Sequence, residues 1–191
     1  MKIGYSVEGS TDRAIVTGLR NRWCPNADLL EGRFRGQTHT SRHREVPRLC
    51  QELSYKGVDL IIFLTDSNVN PWREVQKADI EKCPLEFQYV SVFGVCQRNA
   101  ECWLAADSGH IAKFSGRNES EFRVDDPKGI VESVFGVTGT DKQEAAIAEF
   151  VCNAPLQRWM INPSFEDFFD QLWQKTKELG CTIENLREAQ P

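Results

Sequence analysis

The chain opens on a short apolar run, Lys2-Ile3-Gly4-Tyr5-Ser6-Val7, which reads as a buried strand. Gly9-Ser10 breaks the run. A helix is predicted from about Thr11 to Trp23, with Ser10 or Thr11 as N-cap and Asp12 suiting the positive end of the helix dipole. Residues 28–34 read as a second, weaker strand. A polar, basic stretch comes next, then a helix over 41–55 with Val46, Leu49, Cys50 and Leu53 at helical spacing. The clearest strand is 58–65, apolar almost without interruption, as expected of a central parallel strand covered on both faces. Pro71 opens a helix to about Cys83, residues 87–95 read as another strand, and 99–107 as a helix.

Beyond that point the pattern changes. Residues 115–126 are polar and read as a loop. Helices are predicted over 127–136, 141–152 and 164–179, punctuated by Pro127, Pro155 and Pro163. The alternation of strand and helix up to residue 107 predicts an α/β fold with a mainly parallel sheet flanked by helices. The division expected is a core over 1–110 and a helical C-terminal extension over 111–191 packed upon it. Trp159 and Trp173, with Phe165, Phe168, Phe169 and Leu172, form an aromatic cluster suited to docking that extension.

The bulk properties narrow the class. With 191 residues the chain can bury a core without staples. Its net charge of -5 argues against a whole-protein nucleic-acid field but permits a local basic groove. No apolar run reaches the ~20 residues of a membrane span, and no targeting segment is read ahead of the first strand. Seven cysteines occur without a Cys-x-x-Cys pair, and they read as reduced thiols of a cytoplasmic protein.

The candidate chemistry lies where strands stop. Glu8 comes after the first strand and Asp66 ends the third, in Phe63-Leu64-Thr65-Asp66-Ser67-Asn68. Carboxylates there reach the carboxyl edge of a parallel sheet, where open α/β folds bind ligands. Asp12 stands four residues after Glu8, Asn68 two after Asp66, and Glu101 lies in Arg98-Asn99-Ala100-Glu101-Cys102-Trp103. Taken singly, each carboxylate also suits a cap or a helix dipole. Taken together they repel one another unless a cation neutralises them, and hard oxygen donors suit Mg²⁺ or Mn²⁺.

The pattern strand–Glu8-Gly9-x-x-Asp12 and then strand–Asp66-x-Asn68 resembles the Toprim domain. Val7-Glu8-Gly9-Ser10-Thr11-Asp12 is especially similar to the Toprim domains of OLD nucleases. The segment from Arg98 to Asp107, with Pro127-Lys128 and Pro163-Ser164-Phe165, resembles small stand-alone Toprim-related bacterial proteins. The resemblance covers most of the chain. It implies a Rossmann-like Toprim sheet and a phosphodiester site dependent on Mg²⁺ or Mn²⁺. Glu8 would be the acid/base or metal residue, and Asp66 and Asn68 would stand for the usual Asp-x-Asp pair. Asp12 and Glu101 would be further ligands, and Lys128 would sit near the scissile phosphate. Asn68 departs from the family pattern by removing one negative charge.

The function implied is that of a metal-dependent nuclease acting on DNA or structured RNA. Oligomerisation is compatible with this reading. The resemblance also implies phage defence alongside a separate ATPase partner, since the chain has no Gly-x-x-x-x-Gly-Lys-Ser/Thr loop of its own. Arg33, Arg35, Arg42 and Arg44 crowd around His39 and His43, and Arg98 precedes Glu101. These arginines are the candidate nucleic-acid contacts, because guanidinium binds phosphate bidentately. A solvated helix face accounts for the same cluster equally well. The competing readings are a non-catalytic Toprim-fold binding or regulatory subunit with a degenerate metal site, and a small-molecule phosphohydrolase.

Overall fold

The computed structural model describes residues 1–34, 39–122 and 125–181, without the side chains of 39–42. Four strands, β1 (Lys2–Val7), β2 (Asp28–Glu31), β3 (Leu60–Asp66) and β4 (Ser91–Cys96), form one sheet in the order β2-β1-β3-β4. Every pairing is parallel. The helices between them are α1 (Ser10–Trp23), α2 (His39–Tyr55), α3 (Trp72–Lys82) and the short turn α4 (Leu85–Gln88). The remaining helices are α5 (Glu101–Leu104), α6 (Ser108–Ser115), α7 (Pro127–Phe135), α8 (Asp141–Asn153) and α9 (Pro163–Thr176). The fold is therefore α/β, with helices on both faces of a parallel sheet and a helical C-terminal part.

The period of two within each strand assigns the faces. Leu60, Ile62 and Leu64 of β3 join Ile3, Tyr5 and Val7 of β1 against α1 and the C-terminal helices. Ile61 and Phe63 point the other way, onto Val46, Leu49 and Leu53 of α2. Helix α8 packs along α1, and α9 packs on β4. The aromatic cluster does dock the C-terminal part: Trp159, Phe165, Phe168 and Phe169 are buried in the same core as β1 and β3. Trp103 Nε1 donates to Ser164 Oγ at 2.9 Å, tying α5 to the start of α9.

Four expectations need correction. The strand predicted over 28–34 is shorter, Asp28–Glu31. The strand predicted over 87–95 begins only at Ser91. Pro84 caps the turn α4 instead, and Gln88 Nε2 donates to the carbonyls of Ile80 and Cys83, so the apolar Phe87 serves a helical turn. The helix predicted over 99–107 is a single turn, because Asp107 is the N-cap of α6 and accepts from His110 N. Helix α6 buries Ile111 and Ala112 and ends at Gly116, whose φ of 67° is left-handed. Finally, not all seven cysteines are reduced thiols: Cys24 and Cys181 form a disulfide. It joins the end of α1 to the chain beyond α9, a proximity that sequence spacing does not disclose.

Among the described residues no helix is long and apolar enough to cross a membrane.

Candidate metal centre

The strand order creates the site. From β1 the chain turns back to β2 through α1, on one face. From β2 it crosses to β3 through α2, on the other face. The connection leaving β3 runs through α3, which packs beside α2 on that second face, so the connections leaving β1 and β3 diverge and a crevice opens between the carboxyl ends of these two neighbouring strands. Glu8 stands at the end of β1 and Asp66 at the end of β3. They are linked directly, since Asp66 N donates to Glu8 Oε1 at 3.3 Å.

An open cleft here is lined by Glu8, Gly9, Ser10, Thr11, Asp12, Asp66, Ala100, Glu101 and Thr138. Four of the five acidic or amide residues expected as ligands (Glu8, Asp12, Asp66 and Glu101) therefore meet. Asp12 is only 3% exposed. Its Oδ2 accepts from Gly9 N at 2.9 Å, which closes the first turn of α1, while its Oδ1 has no hydrogen-bond partner among the described residues. Thr11 Oγ1 donates to Glu101 Oε1 at 3.3 Å and holds that carboxylate against the N-terminus of α1. Burial first, and then the Asp66 and Glu101 carboxylates, push the Asp12 carboxyl well above the ordinary carboxylate range, against the lowering by Gly9 N–H.

Asn68 is not among the residues lining the cleft. Ser67 turns inward instead: its N–H donates to the Cys96 carbonyl at 2.9 Å, and its hydroxyl accepts from Arg98 N at 2.8 Å. Asn68 is left in the left-handed region at φ 53° with an exposed side chain, a conformation asparagine tolerates well. Lys128 is exposed on α7, which packs against α5, but it does not line the cleft either.

Two residues that sequence reasoning missed join the site. Thr138 reaches the cleft from the loop between α7 and α8, which no local signal could announce. Cys96 lies beneath it, fully buried at the end of β4. One ligand atom each from Asp12, Asp66 and Cys96 lie within 4.8 Å of one another. The rule that singled out Asp66, a polar atom ending an apolar strand, would have found Cys96 had the strand been extended by one residue. Burial, then the Asp12, Asp66 and Glu101 carboxylates, pushes the Cys96 thiol well up.

Of the candidate nucleic-acid contacts, Arg33 comes after the carboxyl end of β2 and is exposed, 3.6 Å from Glu31. Arg44 is exposed on α2 and Arg98 is exposed after β4, with its backbone bonded to the Ser67-Asn68 turn. Arg35 and the side chain of Arg42 lie outside the described residues. His43, which lies among these arginines in the sequence, meets the buried Asp79 through Nδ1 and links α2 to α3.

No protein-family model, curated protein or solved structure matches the chain.

Proposed function

We propose that this chain is a divalent-cation-dependent nuclease of Toprim type, cleaving phosphodiester bonds of DNA or structured RNA in the cytoplasm. The observation that carries this reading is the convergence of Glu8, Asp12, Asp66 and Glu101 in one open cleft at the switch point of a parallel sheet. A buried carboxylate oxygen without a hydrogen-bond partner, beside two further carboxylates, is what a cation site needs. Asp12, Asp66 and Glu101 would hold Mg²⁺ or Mn²⁺, and the cation supplies Lewis-acid polarisation of a phosphoryl oxygen when bound.

The chain's own residues account for the rest. Glu8 is exposed at the cleft rim and can accept a proton from an attacking water. Thr11 fixes Glu101. Arg98, exposed close by, can offset the charge that develops on phosphate, and Arg33 lies along the same sheet edge to receive a polyanion. Lys128 would act only if α7 brought it toward bound substrate. A phage-defence role beside a separate ATPase is drawn from the family resemblance.

The position of Asn68 favours a second reading, a non-catalytic binding subunit, because the second residue of the usual acidic pair is both neutral and outside the cleft. A cleavage assay with Mg²⁺ or Mn²⁺ on supercoiled plasmid, single-stranded DNA and tRNA, run beside Asp66→Asn, separates the two. Cleavage by the wild type alone supports the nuclease and names its substrate. Absence of both cleavage and calorimetric cation binding leaves the binding subunit, while cation binding without cleavage points to a missing partner.

A further inference from the structure

Cys96 changes what cation this centre should prefer. It is the last residue of β4 and pairs in register with Asp66, the last residue of β3. Both belong to the alternate set of strand positions that faces α1: Leu60, Ile62 and Leu64 on β3, Val92 and Cys96 on β4. Asp12 comes from that same α1. The three side chains thus converge from three elements onto one point, with one ligand atom of each within 4.8 Å of the others. A single cation reaches thiolate and carboxylate ligands at about 2.0–2.5 Å, so atoms up to about twice that distance apart can share it. Asp12 is 3% exposed with Oδ1 unpartnered, so the cluster holds a buried donor oxygen that no described residue satisfies.

We infer that Cys96 Sγ is a ligand in this centre, and that the centre prefers a thiophilic divalent cation such as Zn²⁺, Co²⁺ or Cd²⁺ over Mg²⁺. This rests on the metal-centre reading above and specifies its cation. The reason is donor softness: all-oxygen sites suit Mg²⁺, whereas one sulfur among carboxylates favours borderline and soft ions. Coordination replaces the S–H proton by the cation. The sulfur electron pair forms the S–metal bond, the proton passes to buffer, and no oxidant or reductant takes part.

The test is a Cd²⁺ titration of the full chain in buffer free of thiols, monitored through the ultraviolet sulfur-to-cadmium charge-transfer band, with Mg²⁺ affinity measured by calorimetry. The buried Cys50–Cys83 pair, with sulfurs 3.7 Å apart on the opposite face of the sheet, is a separate soft-ion background. The signal is therefore the difference between the wild type and each variant. The wild type should show a band that is lost in Cys96→Ser, and the preference for Cd²⁺ over Mg²⁺ should fall at least about tenfold. Asp66→Asn keeps the sulfur but removes a carboxylate partner, so the same band should need about 10–100-fold more Cd²⁺, a readout that stands even if Cys96→Ser fails to fold. A band unchanged in a folded Cys96→Ser overturns the role of Cys96, and a Cd²⁺ titration unshifted in Asp66→Asn overturns its sharing one centre with Asp66. Cadmium binding without any such band does the same, and leaves the carboxylate centre standing. If neither Cd²⁺ nor Mg²⁺ binds, the metal centre itself falls.

Discussion

Asp66 and Cys96 are register partners at the carboxyl ends of β3 and β4, and both face the helix that carries Asp12. Asp66 and Cys96 thus sit on strand ends and Asp12 on a helix, elements that hold ligand geometry more closely than loops do. Asp66 is half-buried, and amide replaces carboxylate there at nearly constant shape. Asp66→Asn is expected to lower cation affinity by about 10–100-fold while changing unfolding free energy by less than about 1 kcal/mol. Calorimetry and urea unfolding of the same preparation check both halves.

Asp12 presents the opposite balance. Its buried carboxylate stands near Asp66 and Glu101 without a compensating cation, an arrangement that costs stability. Asp12→Asn keeps an acceptor for Gly9 N and places an amide donor toward the other carboxylates. It should stabilise the cation-free protein by about 1–2 kcal/mol and weaken cation binding. Urea midpoints with and without Mn²⁺ should therefore move in opposite senses relative to wild type.

His110 supplies a pH dependence away from the cleft. Its ring packs on Phe150 at 4.6 Å between centroids, and burial lowers its pKa below the usual value near 6.5. The unfolded chain therefore takes up the proton first as pH falls. The contribution is fully present above about pH 7, declines as pH drops through about 6.5, and levels off below the folded-state pKa. Urea midpoints compared between about pH 7.5 and 5.5 should fall less in His110→Gln than in wild type.

Gly18 lets α1 approach α8 closely. A Cβ at this position would stand 2.6 Å from Val151 Cβ and 2.7 Å from the Ala148 carbonyl oxygen. Backbone cannot yield as a flexible side-chain tip does, so Gly18→Ala should push α8 outward and cost about 1–3 kcal/mol, despite alanine's better helix propensity. Thermal unfolding checks the sign, which propensity alone would reverse.

The Cys24–Cys181 disulfide spans 157 residues of sequence. Closing so long a loop constrains the unfolded chain, and reduction should cost about 2–4 kcal/mol. Thiol titration of the denatured, unreduced protein should find the five free cysteines Cys50, Cys83, Cys96, Cys102 and Cys152. Seven would show that the bond does not form in solution.

Legible along the chain were the alternation of β and α, a buried central strand read over 58–65 and found at Leu60–Asp66, and the placing of Glu8 and Asp66 at strand ends. These are local consequences of apolar periodicity and of where it stops. Which strands are neighbours, and hence that the ends of β1 and β3 share a crevice, emerges only from long-range packing. The same packing decides that Glu101 is held by Thr11, that Cys96 enters beneath the carboxylates, that Asn68 leaves them, and that Cys24 meets Cys181. A period of two tells which residues of one strand share a face. It carries no information about which strand lies alongside or which helix covers that face, because those contacts join residues far apart in the chain and are selected by packing as a whole.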